Sequence, residues 1–290
     1  MKNNIQSFSL RYLFKLLFVL IIALFFCSFF DSNYKVYASK KGIQEIKPGK
    51  VYTMYDVTGD KIADSVKMTV KKNNKHKYDY SETMKISINN SVALKITDDA
   101  YNWSVKLLFI NSDIAIFEIS YMVASDDVAL DSLFQYKNRK LESVYDLQKN
   151  TSLGYTNNHY LHLRKVVGNK IHYRILTQFL TTGGFLSFDI TVKYEYGKFK
   201  ILQKSNEIKY EKARYNKWTV NKKLKIYKKA GSKKLLCVLK RNDKIKINAV
   251  VYKNQKIYFK IKNTKGEAGY LPATKDPSRP FCFKETVYSG

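Results

Sequence analysis

Period-two alternation runs through this chain and constrains its fold more than any other feature. Ser65-Val66-Lys67-Met68-Thr69-Val70 and Met84-Lys85-Ile86-Ser87-Ile88 each set apolar side chains on one face and polar ones on the other. That is the pattern of a half-buried antiparallel strand, because successive side chains of a strand point to opposite faces. The apolar runs at 105–110 and 114–123 predict central strands covered on both faces. Asn89-Asn90, Asn111-Ser112-Asp113, Asn157-Asn158 and Gly183-Gly184 punctuate these runs as turns. Only 12 Gly and 4 Pro interrupt the chain, against 23 Tyr and 17 Phe, a balance that suits the pleated surface of sheets. The expectation is a mainly β protein whose first folded part is an antiparallel domain, propeller-like or sandwich-like. A repeat supports stacked β units: 114–144 and 171–201 both read as a strand followed by an aromatic, lysine-rich hairpin.

The first 38 residues have a separate grammar. Lys2, Arg11 and Lys15 precede an uncharged run at 16–30, and the segment ends in Val36-Tyr37-Ala38. A basic head, an apolar middle and a small exit residue make a secretory signal peptide. The run is shorter than the roughly 20 apolar residues a membrane-spanning helix needs. Cys27 follows the bulky Phe26, so lipid attachment there is not expected. Cleavage after Ala38 leaves about 250 residues, enough for two modest domains. The charged, aperiodic stretch 209–217 reads as the linker, giving a β-rich domain at 39–211 and a basic domain at 212–290. Cys237 and Cys282 remain after cleavage; they could pair in an oxidising exterior, or Cys237 could be a plain thiol within an apolar strand.

Charge divides unevenly between these parts. Of a formal net charge of +28, residues 212–290 hold 22 Lys/Arg against 4 Asp/Glu. A field of that sign attracts anionic partners, and for an exported protein those are wall polymers and lipid headgroups ahead of nucleic acid. Interleaved Lys and Tyr would also suit a base-stacking platform, but export removes that partner.

The C-terminal quarter resembles bacterial SH3-type domains. Leu224-Lys225-Ile226-Tyr227 fits the opening strand, Ala230-Gly231-Ser232 the turn after it, and 237–247 a strand, tight turn, strand unit. Ile257-Tyr258-Phe259-Lys260-Ile261 fits the next strand, and Gly266-Glu267-Ala268-Gly269-Tyr270-Leu271 the closing turn. Asn242 replaces a frequent glycine, Tyr270 a frequent tryptophan, and Tyr227 stands where arginine is common. Asn tolerates the left-handed backbone that glycine supplies. The resemblance implies a small barrel of five or six strands that targets peptidoglycan or associated polymers. Independently of it, tyrosine rings offer flat apolar faces with a polar tip for sugars and peptide stems, and lysines recruit phosphate-rich teichoic acids. Tyr227, Tyr252, Tyr258 and Tyr270, with Lys225 and Lys260, are the expected ligand-binding platform.

One further motif lies near the start of the mature chain. Asp56, Thr58, Asp60 and Asp64 place oxygen side chains at relative positions 1, 3, 5 and 9, a spacing by which a short loop wraps a hard cation such as Ca2+. The loop resembles those of secreted VCBS and FG-GAP repeats, with Lys61 in place of the turn glycine. Two readings stand: a calcium loop, or a calcium-free turn in which Asp and Thr side chains bond to backbone amides.

No catalytic constellation emerges. His159 and His162 would share a face of a helix, but the flanking alternation predicts a turn leading into a strand, where a spacing of three separates the rings. His76 and His172 stand apart. Cys237 and Cys282 lack a thiol-hydrolase signature. Asp126, Asp127 and Asp131 form the densest acidic spot, expected as a solvated loop. The overall expectation is a secreted, wall-associated, non-enzymatic binding protein of a Gram-positive type of bacterium. The alternative is a wall- or glycan-acting enzyme carrying the same targeting arm.

Overall fold

A computed structural model describes residues 42–73, 81–111, 114–123, 128–202, 205–208, 217–278 and 281–285. Residues 1–38, expected as a signal peptide, together with His76, Ser112, Asp113, Asp126, Asp127 and residues 209–216 of the expected linker, lie outside the described residues. The protein is nearly all antiparallel β. Among the described residues no helix is long and apolar enough to cross a membrane.

Strand β1 (Gly42–Glu45) is followed by a four-stranded meander, β2 (Val51–Tyr55), β3 (Asp64–Lys72), β4 (Glu82–Ile88) and β5 (Ser91–Asp98). The second meander comprises β6 (Ala100–Ile110), β7 (Ile114–Val123), β8 (Val128–Lys137) and β9 (Lys140–Asp146), with β1 added against β6. A one-and-a-half-turn helix, α1 (Leu147–Ser152), leads to the third: β10 (Thr156–Val167), β11 (Lys170–Phe179), β12 (Phe185–Glu195) and β13 (Lys198–Ile201). The two similar segments of the sequence thus occupy corresponding places, the last three strands of the second and third meanders. Tight turns take the left-handed backbone at Asn89-Asn90, Asn138-Arg139 and Tyr196-Gly197, the conformation that matches the twist of a two-residue hairpin.

The alternation decides how the sheets stack. Leu107, Phe109, Phe117 and Ile119 of the second meander join Val66, Met68, Met84 and Ile86 of the first in one apolar cluster. Their neighbours Leu108, Ile110 and Ile116 join Ile171, Tyr173, Ile175 and Phe188 of the third in another. The second sheet is therefore covered on both faces, as its largely apolar runs predict.

The remaining strands are β14 (Ser205–Glu207), β15 (Trp218–Thr219), β16 (Leu224–Tyr227), β17 (Leu235–Leu239), β18 (Lys244–Lys253), β19 (Lys256–Asn263) and β20 (Ala268–Pro272). They form one seven-stranded sheet ordered β14-β18-β19-β20-β16-β17, with β15 also paired to β18. Asn242 has φ of 75°, the left-handed conformation expected of it. Strand β14, from before the linker, pairs with β18, and the inner face of this sheet shares a core with the third meander. Phe179 meets Phe259 edge-on at 5.1 Å, and Thr181 accepts a bond from Cys282 N through its carbonyl and one from Thr274 N through Oγ1.

One local reading changes. Asn157 and Asn158 lie within β10, beside a register irregularity; the turn falls earlier, at Leu153 and Gly154, both left-handed. Helix α1 ends there, and its start is fixed by Asp146, whose side chain accepts from Lys149 N, an N-cap bond.

Candidate functional site

The outward face of the C-terminal sheet carries five of the six residues expected to bind ligand. In β19 the buried residues are Ile257, Phe259 and Ile261, so Tyr258, Lys260 and Lys262 point the other way. Tyr270 lies opposite Lys260 on β20, and Tyr227 lies opposite Tyr270 on β16. Lys225, two residues before Tyr227, is exposed on the same side as Tyr227. Tyr227, Tyr258 and Tyr270 are all half-buried, so part of each side chain is accessible. Gly269 explains how the strands come this close: a Cβ there would stand 2.5 Å from Ile226 Cγ2 and 3.0 Å from the Tyr227 carbonyl.

Tyr252 does not join them. It pairs with Ile257 and packs on the inner face, where its hydroxyl donates to the Thr151 carbonyl at 2.8 Å. Burial pushes its phenol above the ordinary tyrosine range. Tyr252 ties the sheet to helix α1, and a register bulge between Ile247 and Ala249 sets the residue parity that turns it inward.

Beside the tyrosines lies a groove of about 600 Å³ bordered by Lys217, Lys244, Lys246, Lys262, Asn263 and Gly266. Lys246 and Lys262 are direct cross-strand partners. Sequence reasoning did not single out these residues, although Lys244-x-Lys246 and Lys260-x-Lys262 carry the signal: two alternating lysine pairs on strands of one hairpin. A second, smaller groove contains Lys260 beside Glu207 and Asn248.

The loop at Asp56–Asp64 is closed by its own backbone. Asp56 accepts from Gly59 N at 2.6 Å and Lys61 N at 2.7 Å, and Asp60 accepts from Ile62 N at 2.8 Å. Asp64, 1% exposed, accepts from Val57 N and Thr58 N and from the Asn89 amide at 2.6 Å. Thr58 Oγ1 also turns to Asp64. Lys61 adopts φ of 67°, doing a glycine's work with its N–H held by Asp56. Among the described residues no three His, Cys, Asp or Glu side chains are grouped to hold a metal ion. The geometry is that of the amide-bonded turn. Asp64→Ala should cost about 3 kcal/mol, since it leaves two backbone amides and Asn89 without their charged acceptor. Chemical denaturation measures this, and added Ca2+ should leave the wild-type midpoint unchanged.

Asp131 overturns the expectation of a solvated loop. It is buried at 5% exposure in the seam between the second and third meanders, with Oδ1 unpartnered among the described residues. Burial and the nearby Glu118 carboxylate raise its pKa well above the usual range, against the Lys106 ammonium. Glu118, also buried, accepts from Lys106 Nζ at 2.8 Å and from the Tyr173 hydroxyl at 2.8 Å. Neither carboxylate presents itself to a polymer chain. His159 and His162 fall on a strand, one buried and the other exposed. The thiols are free, Cys282 buried and Cys237 half-buried.

No family model matches the sequence, and no curated protein or solved structure is significantly similar to it.

Proposed function

We propose that this protein is an exported, non-enzymatic binding protein that holds to an anionic cell-envelope polymer, peptidoglycan or a teichoic-acid-like chain, through an SH3-type C-terminal barrel. The observation that carries the reading is the cross-strand run Tyr227, Tyr270, Lys260 with Tyr258 beside it, on the outward face of a strongly basic sheet. Half-buried rings supply short-range contact with sugar or peptide faces. The lysines gather anionic polymer from a distance, screened over a Debye length of about 8 Å at physiological salt. The stacked meanders are then the part displayed at the envelope.

Sedimentation with purified walls tests this. Retention should fall steeply as salt rises, and Tyr270→Ala should weaken it roughly tenfold at fixed salt, the effect of removing a central aromatic contact. Equal retention at low and high salt would remove the electrostatic part. The enzyme alternative predicts clearing of walls in a zymogram; the binding reading predicts intact walls.

A further inference from the structure

We infer that the groove between Lys217, Lys246 and Lys262 is a dedicated phosphate-binding site, one that takes phosphate anions repeated along a chain. The inference rests on the envelope-binding reading and deepens it by naming the ligand chemistry and the residues that hold it.

Register supplies the first part of the argument. Lys246 and Lys262 face each other across β18 and β19, where side chains of directly opposed residues stand about 5 Å apart at Cβ and like charges destabilise the pair. Lys244 lies two residues along β18 on the same face, and Lys217 closes the rim. Repulsion of this kind is ordinarily relieved by carboxylates on neighbouring strands. Among the described residues Lys217, Lys246 and Lys262 form no ion pair.

The nearby acids are engaged elsewhere. Glu267 accepts from the Asn263 amide at 2.7 Å, while its own N–H is taken by Asn263 Oδ1 at 2.9 Å. Glu285 accepts from Thr219 N and Oγ1, and Lys244 Nζ donates to that same hydroxyl at 2.5 Å. Lys244 is thereby partly compensated, and the uncompensated charge concentrates on Lys217, Lys246 and Lys262.

Shape supplies the second part. The groove holds about 600 Å³ and is bordered by Ile245, Asn263 and Thr264 as well as the lysines, so several phosphate groups of a linear chain fit where a flat patch would hold none in place. Lysine ammonium groups act as point charges toward phosphate without a demand for bidentate geometry, which suits a flexible polymer. Each ammonium that meets a phosphate releases a condensed counterion and adds to the salt dependence of binding.

The test titrates the mature full chain with linear inorganic polyphosphate and, separately, with phosphatidylglycerol vesicles, by calorimetry over a series of salt concentrations. The double variant Lys246→Gln/Lys262→Gln should lose at least tenfold in affinity for the phosphate probe it binds, with the salt slope lower by about two. A control of equal charge, Lys228→Gln/Lys229→Gln, should lose less than threefold. The unliganded groove variant should melt no lower than wild type, because it removes a like-charge cross-strand pair. Binding to polyphosphate alone identifies a free polymer as the source, and binding to vesicles identifies a headgroup. Equal losses in groove and control variants would overturn the site and leave only diffuse charge. If the groove variant keeps full wall retention while Tyr270→Ala loses it, the groove fails and the envelope reading stands. If wild type ignores walls yet binds polyphosphate through the groove, the envelope reading fails and the site stands.

Discussion

Replacing Phe259 by alanine should lower the unfolding free energy of the whole chain by about 3–5 kcal/mol, the cost of emptying a fully buried aromatic site. Phe259 is completely buried; its ring meets Phe179 edge-on, and Phe179 in turn stacks on Phe188 at 6.3 Å. One cluster runs from Leu108 of the second meander through Phe188 to Phe259 and Leu271, so the damage does not stop at the C-terminal sheet. The two tryptophans report on the two ends. Trp103 packs beside Tyr121 in the first core, and Trp218 meets Phe283 in the second. In single-tryptophan proteins both signals should move together, with melting lowered by roughly 10 °C. A shift confined to Trp218 would break the claim of a shared core. The same packing determines how binding is assayed: residues 212–290 alone would lack β14 and bare the apolar face that Phe179 covers, so the full chain is the proper test object.

Much of the fold is legible in the residues because alternation states both strand and face. Strand β7 is the apolar run at 114–123 expected to be covered on both faces, and β16 coincides with Leu224–Tyr227. Helix α1 escaped because six residues are too few for a helical period to declare itself, and its signal, the Asp146 cap, is a single side chain. Tyr258 and Tyr270 face outward by the plain alternation of β19 and β20, whereas a bulge between Ile247 and Ala249 shifts residue parity along β18 and turns Tyr252 inward. The groove needed register: Lys246 and Lys262 are sixteen positions apart, and only the pairing of β18 with β19 makes them neighbours. Asp131 was misread for a different reason. An acid among acids looks solvated in sequence, and nothing local says that Glu118, Lys106 and Tyr173 will close around it.

That enclosure sets two buried groups against each other as pH changes. Thr151 donates its only hydroxyl proton to the Leu147 carbonyl, so the 2.5 Å contact with His159 is a bond donated by Nε2–H, and Nδ1 has no partner among the described residues. Protonating Nδ1 would bury a cation, and burial pulls the imidazole down to about 3. The unfolded chain takes up that proton near pH 6.5. Between about 6.5 and 3 the unfolded state therefore binds more protons than the native one, and stability falls as pH falls, by up to about 1.4 kcal/mol per pH unit. Asp131 has the opposite sign. Its native pKa is raised, so above the unfolded value near 3.9 the native state holds a proton that the unfolded chain has released, and stability falls as pH rises. Above about pH 4 the two slopes therefore oppose one another. Asp131→Asn removes the second alone. Relative to wild type, its stability should climb as pH rises above about 4, for as long as the native Asp131 carboxyl keeps its proton, and the gain should persist at neutral pH. His159→Gln removes the first, and its curve should tilt the other way. Glu118→Gln should instead be destabilising at neutral pH, since it leaves Lys106 without its ion-pair carboxylate and weakens the acceptor that Tyr173 uses. Denaturant unfolding of the three variants at a series of pH values reads these differences directly. Parallel curves for Asp131→Asn and wild type would mean that Asp131 is ionised in the folded protein, with the seam between the second and third meanders open to water.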